Sequence, residues 1–301
     1  MEHEHNHAPA NFGRAFAIGI ALNLGFVILE VVYGRLSNSL ALVADAGHNL
    51  SDVLGLALAW GAAGLARVSP TLERTYGFRR SSILAALVNA AVLLISVGAI
   101  AWEAVIRLRN PASVEETTVI WVAAIGIVIN GVTALLFMSG RKDDLNIRGA
   151  FMHLASDAVI ALGVVLTGVA MLYTGWVWLD PVVSLVIVVL ITYGTWGLLR
   201  DSVNLAMDAV PEGIDMNGIK EYLAKLPTCI DVHDLHVWGM STTETALTAH
   251  LVMNKSVYDD ALLSKTADEL HHKFGIEHST LQVEFGDPNY PCRCGLIPKL
   301  N

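Results

Sequence analysis

The chain has 301 residues, of which 54% are hydrophobic and 16% charged, and soluble domains carry about 25% charged residues, so it is not a simple soluble globule. A formal net charge of −9 argues against a nucleic-acid partner, because phosphate binding needs a basic face. Three cysteines, Cys229, Cys292 and Cys294, are too few and odd in number for a disulfide scaffold.

Residues 1–12 are polar and carry His3, His5 and His7. Six apolar blocks follow, at about 13–34, 38–66, 82–106, 117–139, 149–173 and 177–199. Each reaches the roughly 20 residues that a membrane-spanning helix needs. The first is not read as a signal peptide, since no Lys or Arg precedes it and no small-residue cleavage site follows before the next block. With a cytoplasmic N-terminus, the inside segments hold Arg14, Arg67, Arg74, Arg79, Arg80, Arg141, Lys142, Arg148 and Arg200, against Arg35, Arg107 and Arg109 outside. Nine against three places both termini in the cytoplasm, although Arg107 and Arg109 oppose the bias.

After about Ala209 no apolar run is long enough to span, and acidic residues outnumber basic ones. The pattern predicts a helix at about 215–226, strands at 231–239 and 244–253, a helix at 259–274 and a strand at 279–286. In the second strand Leu247, Ala249 and Leu251 alternate with Thr248, His250 and Val252. An α-β-β-α-β order fits a ferredoxin-like α+β domain. The expected organisation is therefore a His-rich segment (1–12), a six-transmembrane-helix bundle (13–208), a cytoplasmic ferredoxin-like domain (209–287) and a Cys-containing tail (288–301).

Charged side chains inside a bilayer cost a few kcal/mol each and tend to mark function. The second block holds Asp45-Ala-Gly-His48-Asn-Leu-Ser-Asp52 and the fifth holds His153-Leu-Ala-Ser-Asp157. Residues four apart share a helix face, so each helix presents an imidazole beside a carboxylate. Two such faces turned together offer two nitrogens and two oxygens, a tetrahedral set suited to Zn²⁺. One His-x-x-x-Asp alone reads equally well as an interhelical hydrogen-bonded pair, but two copies on different spans favour the metal. Two carboxylates match the charge of one divalent ion, and metal competes there with protons, which is the core of an antiporter. Asp45, one turn before His48, reads as a supporting residue. Asn23, Glu30, Asn89, Glu103 and Asn130 read as interhelical hydrogen-bonding groups, and Gly47, Gly55, Gly61, Gly64, Gly163 and Gly168 as close helix packing.

The stretches Ser39 to Asp52 and His153 to Asp157, with Leu199-Arg-Asp-Ser-Val-Asn204 and Val232-His-Asp-Leu-His-Val-Trp238, resemble the cation diffusion facilitator family, and within it the bacterial zinc-efflux branch. The resemblance covers almost the whole chain. It implies a homodimer in the lipid bilayer of the cytoplasmic (inner) membrane, exporting zinc and sometimes other divalent ions in exchange for protons. It carries the transport site onto His48, Asp52, His153 and Asp157. Some relatives have Asp in place of the first His and accept cadmium more readily, so His48 leans toward zinc.

If the hairpin turns at Ser241-Thr242, the paired residue numbers sum to 483 and His233 faces His250, at the 4.5–5.5 Å Cβ separation typical of cross-strand pairs. Ser-Thr is, however, a poor two-residue hairpin loop. The resemblance independently places regulatory metal ligands at His233 and His250, with Glu284 on the last strand and Asp287 as possible help. His236 is expected to point the other way, and His271 and His272 onto an exposed helix face. Cys292 and Cys294 are candidates for metal capture in a reducing cytosol, with an unoccupied tail the equal alternative. The His-rich start could gather zinc or be dispensable. Some relatives carry a further metal site in the loop after the second span. Here residues 67–80 contain no His and only Glu73 as an acid, so that site is expected to be missing.

The sequence thus points to a proton-coupled zinc exporter with Zn²⁺ as substrate and possible regulator, no organic cofactor and no nucleotide, since no phosphate-binding loop with Lys is present. A membrane-anchored metal sensor is the alternative. An intramembrane metalloenzyme is disfavoured because four protein ligands would close the site.

Overall fold

The computed structural model describes residues 12–137, 145–254 and 260–286. The six apolar blocks fold as six long helices: α1 (Phe12–Leu36), α2 (Leu40–Ala66), α3 (Ser81–Arg109), α4 (Glu116–Phe137), α5 (Leu145–Thr174) and α6 (Leu179–Ala206). They run from 22 to 30 residues, about 33–45 Å at 1.5 Å per residue. Among the described residues, Ser81–Arg109, Glu116–Leu135, Phe151–Thr174 and Leu179–Ala206 are long and apolar enough to cross a membrane. Two compact units divide the chain. The first takes the residues up to Ala57 with Val88–Gly197, and the second takes Leu58–Leu87 with the residues from Leu198 onward.

The first unit is a helix bundle with inverted polarity. Ile95, Trp121, Val159 and Tyr193 face outward, while Glu30, Asp45, Asn130, Asp157 and Asp180 are buried. Lipid solvates the apolar exterior, so polar groups gather where other helices can satisfy them. Phe26, Leu42, Val97, Val119, Val164, Met171 and Ile187 form the apolar core. Helix approach is closest at two glycines. A Cβ on Gly126 would lie 2.5 Å from Phe26 Cζ, and one on Gly168 would lie 2.7 Å from Ile120 Cγ1. Gly55 lies tight against Asn89, whereas a Cβ on Gly61, Gly64 or Gly163 would meet nothing within 4 Å. Close packing therefore explains only part of the glycine set read from the sequence, and Gly126 belongs with it.

The start of α2 is capped twice. Ser39 Oγ accepts from Leu42 N at 3.3 Å. The fully buried Asp180 at the start of α6 accepts from Leu40 N at 2.8 Å, from Ala41 N at 3.3 Å and from the Ser39 hydroxyl. A carboxylate at a helix N-terminus satisfies free N–H donors and complements the dipole. Arg107, which opposes the charge bias, is engaged in structure. Its Nη1 donates to the Asn38 carbonyl at 2.6 Å and its Nε to Glu103 Oε1 at 3.0 Å, so Glu103 bonds within its own helix.

The second unit adds α7 (Met216–Ala224), β1 (Cys229–Gly239), β2 (Thr245–Met253), α8 (Asp260–Phe274) and β3 (His278–Glu284), the expected α-β-β-α-β order. The sheet order is β1-β2-β3, with β1 antiparallel and β3 parallel to β2. Asp215 caps α7 by accepting from Gly218 N at 2.9 Å. Gly275, at φ +68°, ends α8 where a left-handed residue lets the chain turn away. Ile219, Leu223, Val237, Leu247, Ala249, Leu251, Met253 and Leu270 pack one side of the sheet. Thr248, His250 and Val252 alternate onto the other, less buried side.

The hairpin corrects one sequence expectation. Near the turn Gly239 pairs with Thr245 and Val237 with Leu247, and Met240 N donates to Glu244 O at 2.9 Å. The connection therefore is not a two-residue loop at Ser241-Thr242. Further along, His233 does pair with His250, because the register shifts between His233 and His236. Asp234, at φ +51°, is the extra residue of this bulge, and Val232, Leu235 and Val237 all reach the core side. His236 consequently pairs with Thr248 on the same face as His233 and His250. The opposite orientation expected for it presumes unbroken alternation, and one inserted residue reverses that parity.

Within this unit the α2–α3 connection meets the hairpin. Arg79 Nη1 lies 3.0 Å from Glu244 Oε1, Arg80 pairs with Asp208, and Thr242 N donates to Ser82 Oγ at 3.1 Å.

Candidate metal centres

In the bundle, α2 presents His48 and Asp52, and α5 presents His153 and Asp157, each pair one helical turn apart. The two faces converge. His153 Nε2 lies 3.1 Å from Asp52 Oδ2 and 3.6 Å from Asp157 Oδ2. His48 Nε2 lies 3.4 Å from Asp157 Oδ1 and 3.9 Å from Asp52 Oδ2. Ligand atoms around a tetrahedral zinc ion at 2.0–2.1 Å sit roughly 3.3 Å apart, and these four distances straddle that value. His48, His153 and Asp157 offer ligand atoms that all lie within 4.8 Å of one another, with Asp52 beside this group in reach of both imidazoles. Asp157 is the deepest, at 4% side-chain exposure, and His153 the most open, at 45%. Asp157 Oδ1 and His48 Nδ1 are buried without a hydrogen-bond partner, an arrangement that costs free energy unless something else engages it.

Asp45 is not part of that group. It is buried, and its carboxyl faces that of Glu30 from α1. Glu30 Oε2 accepts from Asn49 Nδ2 at 2.9 Å, while Glu30 Oε1 and Asp45 Oδ1 have no donor. By sequence alone Glu30 reads as an ordinary interhelical contact. Its burial beside a second carboxyl, one turn from His48, distinguishes it, and its being the one acidic residue of a mostly apolar helix is the signal that could have found it.

A second cluster lies on the open side of the C-terminal sheet. His250 Nδ1 is 2.8 Å from Glu284 Oε1, and His233 Nε2 is 3.2 Å from Glu284 Oε2. The two imidazole centroids are 5.1 Å apart. The cross-strand pair and the parallel strand β3, where Glu284 sits opposite Val252, bring all three within 4.8 Å of one another by their ligand atoms. The bulge adds Asp234, with Oδ2 3.5 Å from His250 Nε2, and His236, with Nε2 3.1 Å from Asp234 Oδ1. Sequence reasoning misses both, because a register shift is invisible to strand periodicity. Cys229 lies outside the cluster, and burial pushes its thiol up, away from the thiolate that metals bind.

Residues 16–205 match the model of the cation efflux transmembrane domain, and residues 211–285 match that of the cytoplasmic domain of cation efflux proteins. The chain belongs to the cation efflux family. This cation efflux protein is 35% identical to the cadmium, cobalt and zinc/H(+)-K(+) antiporter of Bacillus subtilis, over 98% of its own length and 96% of the relative's. It is 34% identical to the metal cation efflux system protein CzcD of Cupriavidus metallidurans, over 96% and 90% of the two chains. It is likewise 34% identical to the zinc transporter ZitB of Escherichia coli, over 95% and 93%. It is a multi-pass membrane protein with a cytoplasmic C-terminal domain.

Asp287, Cys292, Cys294, His3, His5 and His7 lie outside the described residues. His271 and His272 are exposed on α8, His271 Nδ1 lying 3.3 Å from Glu277 Oε2.

Proposed function

We propose that this protein exports zinc across the cytoplasmic membrane in exchange for protons, by alternating access of one site built from His48, Asp52, His153 and Asp157. The observation that carries the reading is the convergence of two His-x-x-x-Asp faces from α2 and α5 at the spacing of tetrahedral zinc ligands. Zn²⁺ entering from the cytoplasm meets two imidazole nitrogens and two carboxylates, whose charge it neutralises. Metal and protons compete for the same lone pairs, so binding releases protons and protonation from outside releases metal. The names of the relatives, an antiporter of zinc with H(+) and a zinc transporter, support this assignment. The charge bias of the loops supports termini on the cytoplasmic side.

The match to the cytoplasmic domain of cation efflux proteins supports a homodimer joined through that domain. His233, His250 and Glu284 hold a regulatory zinc ion there, with one position left for water or another ligand. Zinc bound at that face draws the two copies together when cytoplasmic zinc is high.

The deciding experiment reconstitutes the protein in sealed vesicles, imposes a pH gradient, and follows Zn²⁺ and pH together in the wild type and in Asp157→Ala. Zinc uptake coupled to opposite proton movement, without ATP and lost in the variant, is expected. Tight zinc binding with no flux in either direction would favour a membrane-anchored sensor. Unchanged flux in Asp157→Ala would overturn the site.

A further inference from the structure

We infer that Asp234 is the positioning residue of the cytoplasmic metal site, orienting His250 so that its Nδ1, not its Nε2, faces the ion. The inference rests on the reading of His233, His250 and Glu284 as a zinc site. It adds which nitrogen binds and what holds the ring.

His250 has a carboxylate at each end of its imidazole. Glu284 Oε1 is 2.8 Å from Nδ1, and Asp234 Oδ2 is 3.5 Å from Nε2. Glu284 marks the Nδ1 side, and its other oxygen, Oε2, lies 3.2 Å from His233 Nε2. Metal-binding histidines characteristically donate their other ring N–H to a carboxylate, which fixes the tautomer and raises the basicity of the binding nitrogen. Asp234 stands where that acceptor is needed. Its second oxygen is engaged by His236 Nε2 at 3.1 Å, so the carboxylate is held from both sides.

The backbone explains why Asp234 can do this. In an unbulged strand it would share the core side with Val232. The extra residue between His233 and His236 instead leaves it at φ +51°, a conformation that Asp and Asn tolerate better than most side chains. The His-Asp-Leu-His run of β1 thus supplies a ligand (His233), an orienting carboxylate (Asp234), a core residue (Leu235) and a brace (His236).

The test uses the full chain carrying Asp157→Ala, so that the intramembrane site is impaired, and measures Zn²⁺ affinity by competition with a chromophoric chelator. Asp234→Asn keeps the backbone preference and a weaker acceptor, and Asp234→Gly keeps only the backbone freedom. Affinity is expected to fall about 10- to 100-fold on losing the carboxylate, in the order parent, Asn, Gly, and less in His236→Gln. With ¹⁵N-histidine labelling and ¹¹³Cd²⁺ as probe, scalar coupling is expected to Nδ1 of His250, assigned by its loss in His250→Ala. Undiminished affinity in Asp234→Gly, or coupling to Nε2, would overturn the role of Asp234 alone. Undiminished affinity in His250→Ala, or no binding by the parent, would overturn the site itself.

Discussion

Asp180 satisfies two backbone donors and a hydroxyl at the start of α2 from the start of α6, with its own side chain fully buried. Removing it strands those donors away from water, a cost of about 1–3 kcal/mol. Asp180→Ala should therefore lower the thermal midpoint of the purified protein in detergent, with Asp180→Asn falling less because an amide oxygen still accepts. An unchanged midpoint in the Ala variant would remove the cap from the account. Cys229 allows a pH test at the same scale. Burial raises its thiol above the ordinary value, so the reactive thiolate is scarcer than in a free cysteine at any given pH. In a Cys292→Ser, Cys294→Ser background, alkylation of Cys229 should be slower than that of a small free thiol at neutral pH and should rise through the alkaline range. A rate matching the free thiol at neutral pH would show that the side chain is not held as described.

Helix approach in the bundle depends on which glycine faces a neighbour. A Cβ at Gly126 would meet the Phe26 ring at 2.5 Å, whereas one at Gly163 meets nothing within 4 Å. Gly126→Val should thus separate α1 from α4, at the roughly 1–3 kcal/mol typical of overpacking, while Gly163→Ala should be neutral or mildly stabilising through helix propensity. Comparing the yield of monodisperse protein and the thermal midpoint of the two variants checks this, and equal losses would argue against packing as the cause. In the sheet the decisive element is β1. Its bulge sends Val232, Leu235 and Val237 to the core while keeping His233 and His236 on the open face.

For the whole molecule, the proposed cytoplasmic metal site, built from three elements, would tie zinc to the stability of the domain that carries it. His233, His250 and Glu284 come from β1, β2 and β3, so a bound ion bridges all three strands. Zinc at 100 times its dissociation constant should stabilise the loaded state by about 2.7 kcal/mol. In the Asp157→Ala background, a raised unfolding midpoint, reversed by chelator and absent once His250→Ala is added, is the expected result. Both proposed metal centres use imidazole and carboxylate groups that must be deprotonated to bind. Zinc affinity should therefore fall as pH falls, with protons released on binding. A pH-independent affinity measured across the acid to neutral range would contradict the ligand sets.

The kind of molecule is legible in the chain alone. Apolar blocks of spanning length fold as six helices, and alternation in Leu247 to Val252 marks the two faces of β2. Helical spacing alone put His48 with Asp52 and His153 with Asp157, because a regular helix makes four-residue neighbours a local property. The packed fold governs what depends on two elements meeting. It set the 3.1 and 3.4 Å contacts between the α2 and α5 pairs, the burial of Glu30 against Asp45 and the use of Asp180 as a cap for another helix. It also placed Asp234 and His236 beside His250, since a bulge is a property of strand pairing and leaves no periodic trace in the chain that carries it.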